Sequence, residues 1–266
     1  MIVRKTALDI EKMRAAGRVV AEVLDTVQKS VTPGLTTTGD LNRIAETICA
    51  RHGGVPTFLG YNGFPAASCI SVNETVVHGI PGGRVLLEGD LVSFDFACTL
   101  NGFVADAAVT IPVGTVSPEA KRLLGVTREA LYQGIAKARI GARVGEVSAA
   151  IQRYVEAAGY SVVRELVGHG VGRKLHEGPE VPNYGKPGQG IRFVEGMTIA
   201  IEPMVNAGKR ETKTLGDKWT VVTKDGALSA HFEHTVAITK RGADILTLSA
   251  DTPVLSVAAD KRIMAR

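Results

Sequence analysis

The chain has 266 residues, 45% hydrophobic and 22% charged, with 31 basic and 27 acidic side chains for a formal charge of +4. Such a composition is that of a globular protein with a sizeable core, and without a Lys/Arg block it points to no specific nucleic-acid partner. Cys49, Cys69 and Cys98 are scattered and free of CxxC spacing, which implies neither a disulfide framework nor a zinc knuckle and fits a reducing cytoplasm; no signal-peptide core and no run of about 18 apolar residues implies a membrane.

In chain order, Leu8, Met13, Ala16, Val20, Val23 and Val27 recur at helical spacing and predict a helix from Thr6 to about Ser30, stopping before Pro33-Gly34. A shorter helix follows from Gly39 to His52, ended by Gly53-Gly54. The stretch VSFDFACTLNGFVADAAVT, Val92 to Thr110, then alternates as two strands around Asn101-Gly102, the usual two-residue hairpin turn. That turn sets Leu100 opposite Phe103 and Ala97 opposite Asp106, so Asp95 and Asp106 become diagonal neighbours on one face. Beyond it, Ser117 as N-cap and Pro118 in the first turn open a helix reaching about Arg139, and a fourth helix runs from Glu146 to Ala158.

Long helix, short helix, strands: the order occurs twice. EGDLVSFDF from Glu88 aligns without gaps on EGMTIAIEP from Glu195, which sets Asp95 against Glu202. VVHGIP around His78 matches VGHGVG around His169, and the Asn101-Gly102 turn before Asp106 matches the Asp225-Gly226 turn before Glu233. The expectation is a single catalytic domain over 1–266, made of pseudo-repeat halves at about 1–115 and 116–250 with a short tail at 251–266. If the halves face each other, Asp95, Asp106, Glu202 and Glu233 converge, and four carboxylates in one cleft require cations. A pair of divalent ions about 3.5 to 4 Å apart, sharing bridging carboxylates, resolves the repulsion, and His169 between two glycines is the natural nitrogen ligand.

LGYNGFP, CISVNETVVHGIP, GHGVGRKLHEGP, IEPM, DKWTVVTKDGALSA and FEHT stand in order along with the hairpin Asp pair. On these blocks the chain resembles a type I methionine aminopeptidase over nearly its full length. The resemblance implies the pita-bread fold, an α+β architecture with an internal pseudo-twofold and an antiparallel sheet backed by two pairs of helices. It implies two divalent cations, Co, Mn, Fe(II) or Zn: Asp95 on one, His169 and Glu202 on the other, Asp106 and Glu233 bridging both. It implies removal of the N-terminal methionine ahead of a small second residue, by attack of a metal-bridging hydroxide on the first peptide bond. Glu202 would move the proton, His176 would donate to the developing oxyanion and His78 would steer the leaving nitrogen. Phe58, Tyr61, Phe64, Cys69 and Trp219, with Met204 close by, would wall an apolar methionine pocket.

The expected partners are N-terminal Met peptides and nascent chains met near the ribosome, with the protein a monomer in the cytoplasm. Three positions depart from the family pattern: Ala97 and Ala107 where hydroxyls are usual, and Leu175 where Phe is frequent. His52, His231 and His234 read as structural or surface groups, so that His231→Ala should leave most activity, and Cys98 reads as core. Two alternatives stand beside the main reading. One is an Xaa-Pro peptidase of the same fold, whose relatives generally carry a separate N-terminal domain; here the resemblance begins almost at Met1. The other is a non-catalytic binding protein, disfavoured because all five ligand positions are present.

Overall fold

Thr6 opens the first helix, α1 (Ala7–Ser30), with a capping box: its hydroxyl accepts from the Asp9 amide, and the Asp9 carboxylate accepts from the Thr6 amide. A computed structural model of the chain describes residues 2–249; the tail expected at 251–266 lies outside the described residues. A second box, Thr37 with Asp40, starts α2 (Thr38–Arg51) one residue before the Gly39 expected from sequence. Ser117 caps α3 (Pro118–Ile135) as expected, accepting from the Ala120 amide. The helix stops short of Arg139 because beyond Gly134 the amides turn back on carbonyls three residues earlier, Lys137 on Gly134 and Ala138 on Ile135. The fourth, α4 (Val144–Ala157), begins two residues ahead of Glu146, which falls in its first turn.

The hairpin forms as read. Strands Leu91–Leu100 and Phe103–Pro112 pair antiparallel over their whole length, with Leu100 opposite Phe103 and Ala97 opposite Asp106. Cys69–Val72 adds on the other edge of Leu91–Leu100, placing Cys69 opposite Asp95. In the second half, Thr198–Ile201 is flanked by His234–Thr239 and by Gly168–Gly170, again antiparallel. Backbone and side-chain bonds sew the halves together: the Glu233 amide donates to Ala108 O at 2.9 Å, and Thr235 Oγ1 accepts from the Asp106 amide at 2.9 Å while donating to Asp106 O at 2.8 Å.

Each helix pair backs one sheet. α1 and α2 bury Val20, Val23, Leu41 and Ile48 against Val92, Phe94, Phe96 and Ile111 of the hairpin. α3 and α4 bury Leu123, Leu131, Val147 and Ile151 against Ile199, Ile201, Val236 and Ile238. Each such side chain contributes about 1.5–3 kcal/mol on burial. Because side chains alternate along a strand, sending Phe94 and Phe96 to the helices sends Asp95 to the opposite face. That face is not the half-solvated one a lone hairpin would have, since residues 91–98 are buried throughout. The second half of the chain covers it.

Candidate metal centre

Asp95 and Asp106 leave the hairpin on the face turned toward the second half, and are 9% and 3% exposed. Opposite them stands His169, in the strand Gly168–Gly170. Its flanking glycines have a steric cause: a Cβ at Gly168 would lie 2.4 Å from Ala200 O, and one at Gly170 would lie 2.2 Å from Gly178 O. The strand can therefore press against its neighbours and carry the imidazole inward. His169 Nδ1–H donates to Gly170 O at 2.9 Å, which leaves the Nε2 lone pair facing the cleft, 3.4 Å from Glu202 Oε1. Glu202 directly follows Thr198–Ile201, its carbonyl accepting from Asn183 Nδ2 at 3.0 Å. Glu233 directly precedes His234–Thr239, pinned by its amide bond to Ala108.

Ligand atoms of Asp106, His169 and Glu233 all lie within 4.8 Å of one another. Asp95 and Glu202 complete the lining of the same cavity, of about 320 Å³. Burial pushes the carboxyls of Asp95, Glu202 and Glu233 well above the usual carboxylate range, mutual repulsion adding to it, and lifts Asp106 to about 7. Burial, with His176 alongside, lowers the His169 imidazole to about 4. Among the described residues Asp95 Oδ1, Asp106 Oδ1 and Glu233 Oε1 are buried without a hydrogen-bond partner. Buried oxygens of this kind are costly unless something positive meets them. Four carboxylates and one imidazole form a donor set suited to Mn, Fe(II), Co or Zn, so the residues fit divalent cations.

The same balance sets a pH dependence for the metal-free protein. Asp106 rises from an unfolded value near 3.8 to about 7, so between those values the folded state holds a proton that the unfolded state has lost. The stabilisation is complete below the lower value and disappears as pH climbs through the upper one. The His169 imidazole, lowered to about 4, acts in the opposite sense up to its ordinary value near 6.5, so chelated protein should melt at falling temperature from pH 6.5 to 8, and added cation should flatten or reverse the trend, because it binds the deprotonated set. Melting curves with and without chelator check this; a chelated protein whose melting point holds or rises over that interval contradicts it.

Around the acids the same cavity gathers His78, His176, Phe58, Tyr61, Phe64, Cys69, Met204 and Trp219. His78 sits at φ 59°, a left-handed conformation uncommon for a residue with a side chain, and Gly79 after it packs where a Cβ would meet Ile70 O at 2.2 Å. The turn before Trp219 is set by Asp217, whose Oδ1 accepts from the Trp219 and Thr220 amides, and the indole meets the Phe64 ring edge-on at 5.1 Å. His176 packs edge-on to His169 with ring centroids 4.3 Å apart. Tyr61 is more than wall: its hydroxyl lies 2.6 Å from His176 Nδ1.

Of the departures, Leu175 lines the cavity, whereas Ala97 is buried beside it among Met13, Phe58 and Val104, and Ala107 faces the α1 and α2 layer. Cys98 is core, its sulfur 3.5 Å from that of Cys49. His52 bonds Glu22 at the surface, and His234 turns away from Glu233 to Thr247. His231, read as a structural or surface group, is not at the surface: it is 2% exposed and lines the cavity, 3.9 Å from Glu233.

Antiparallel sheets backed by helix pairs, closing on buried carboxylates and imidazoles, make a metallohydrolase of pita-bread type. The chain belongs to metallopeptidase family M24, which matches residues 11–240, and within it to the methionine aminopeptidases. It is 53% identical over 248 residues to the methionine aminopeptidase of Clostridium perfringens, covering 93% of this chain and 99% of that protein. The crystal structure of methionine aminopeptidase from Thermotoga maritima superposes with a TM-score of 0.92 at 48% identity, covering 94% of this chain and all of that one. Prolidase from Pyrococcus furiosus, at 22% identity and a TM-score of 0.75 over 93% of this chain and 66% of its own, shares the fold. Among the described residues no helix is long and apolar enough to cross a membrane.

Proposed function

We propose that the protein removes N-terminal methionine from peptides and nascent chains whose second residue is small, using two divalent cations. The observation that carries the reading is the convergence of five ligand-type side chains and an aromatic, thioether-lined wall on one cavity. Asp95 would hold one cation, His169 and Glu202 the other, and Asp106 and Glu233 both. Bound there, the cations would acidify water and polarise the scissile carbonyl, answering the two weaknesses of amide hydrolysis at neutral pH.

The chain's own groups supply the rest. Glu202, its carboxyl raised by burial, is suited to take a proton from the attacking water and return it to the departing amine. When Tyr61 Oη–H donates to His176 Nδ1, His176 Nε2 carries the proton and can donate to the carbonyl oxygen as it gains charge. His78, held by its strained backbone, stands across the cavity to meet the leaving nitrogen. The acidic end of the cavity favours a free α-amine, which accounts for cleavage at the first peptide bond. Phe58, Phe64, Cys69, Met204 and Trp219 offer polarizable contact to a methionine side chain, with discrimination of about 1–3 kcal/mol per methylene.

A monomer acting in the cytoplasm, close to the ribosome, fits a mixed surface charge of +4 without a basic block. The Xaa-Pro alternative has in its favour only the shared fold. Stripping the metal, adding back Mn, Fe(II), Co or Zn separately and following Met-Ala-Ser beside an Xaa-Pro peptide tests the reading. Metal-dependent release of methionine from the first substrate alone is the expected result, and activity that survives complete chelation overturns it.

A further inference from the structure

His231 has a fixed backbone and an unsatisfied ring. It ends the strand Ser229–His231, across from Met204, and both its backbone groups close on one hydroxyl: Thr110 Oγ1 accepts from the His231 amide at 2.8 Å and donates to His231 O at 2.7 Å. That clamp ties the residue to the strand carrying Asp106 and leaves the imidazole directed into the cavity. There Nε2 is buried without a hydrogen-bond partner, 3.9 Å from Glu233 Oε2, and Glu233 Oε1 is likewise without one. A donor and a carboxylate, both buried and both incomplete, thus face each other about 0.7 Å beyond hydrogen-bond range, a gap that side-chain torsions can close.

We propose that His231 is a positioning residue for the metal centre: its Nε2–H is the outer partner of Glu233, holding that carboxylate in the orientation its cations require. The proposal rests on the metal reading of the cavity and assigns His231 a role toward it. Metal-binding groups generally have such partners, and His169 already has one in Gly170 O. Among the described residues Glu233 Oε1 is buried without a hydrogen-bond partner.

The test is calorimetric titration of metal-depleted protein with Mn(II), comparing the native chain with His231→Leu, His231→Gln and Glu233→Gln, and recording the melting point of each metal-free protein. Leucine should weaken Mn(II) binding by roughly 10- to 100-fold with the metal-free melting point little altered, the range typical of lost outer partners. Glutamine, whose amide can still donate, should restore most of the affinity, a rescue that a purely space-filling role would not produce. If the leucine protein does not fold, His231→Phe serves as the variant without a donor. Native affinity in the donor-less variant, or a glutamine variant as weak as it, overturns the proposal. Native affinity in Glu233→Gln would instead strike the metal reading itself, and the proposal with it.

Discussion

Glu233→Gln, and equally Asp106→Asn, should abolish methionine release, lowering kcat/KM by roughly 1000-fold or more and leaving purified protein with less bound metal. Each of these side chains faces the cavity from a different half of the fold, and together with His169 they bring ligand atoms within 4.8 Å. An amide keeps the shape but loses the charge and one oxygen acceptor. The loss asked for is about 4 kcal/mol of transition-state stabilisation, within the several kcal/mol that Lewis-acid catalysis supplies. The same change should stabilise the metal-free protein. Burial raises the Glu233 carboxyl well above its ordinary range, so ionising it costs the apo fold, and glutamine removes that cost. Steady-state assays, metal analysis and melting of chelated protein measure all three; full activity in either variant would contradict the bridging assignment.

Lys5→Met should destabilise the fold strongly although it removes none of the acids of the cavity. The Lys5 ammonium meets Glu177 Oε2 at 2.5 Å, the two side chains 3% and 9% exposed. Burial alone would raise the Glu177 carboxyl, but bonds from Lys5 and from the Arg173 and Lys174 amides outweigh it and hold the carboxyl low. Removing one partner leaves a buried charge uncompensated, which costs about 3–5 kcal/mol. In a chain of this size that is a fall in Tm of roughly 6–20 °C. Lys5→Met combined with Glu177→Gln should recover much of it, because the stranded carboxylate is gone. Since Glu177 follows His176 directly, loosening this pair should also depress kcat. A single variant that melts with the native protein would show the pair to be energetically idle.

The hairpin was readable because one rule governs it. A two-residue Asn-Gly turn leaves a single register, and that register places Asp95 and Asp106. The helix ends were less so: α3 stops where hydrogen bonding tightens at Gly134, and α4 starts at Val144 without a side-chain cap, features that periodicity does not record. The place of His231 in the cavity was not legible, because a histidine beside an assigned acid has no spacing of its own and a strand ends at it. Nothing in local sequence announces Lys5 and Glu177, which lie 172 positions apart and meet only through the tertiary fold. The Tyr61 contact with His176 belongs to the same kind, joining positions 115 apart.

The seam between Ala108 and Glu233 bears on how the protein matures. During synthesis Asp95 and Asp106 emerge well before Glu233, the last member of the proposed ligand set. With Glu233 in that set, cation loading would wait until position 233 had left the ribosome and docked against the hairpin. Metal uptake is thereby tied to completion of the tertiary structure, and a truncated translation product would have no site to fill.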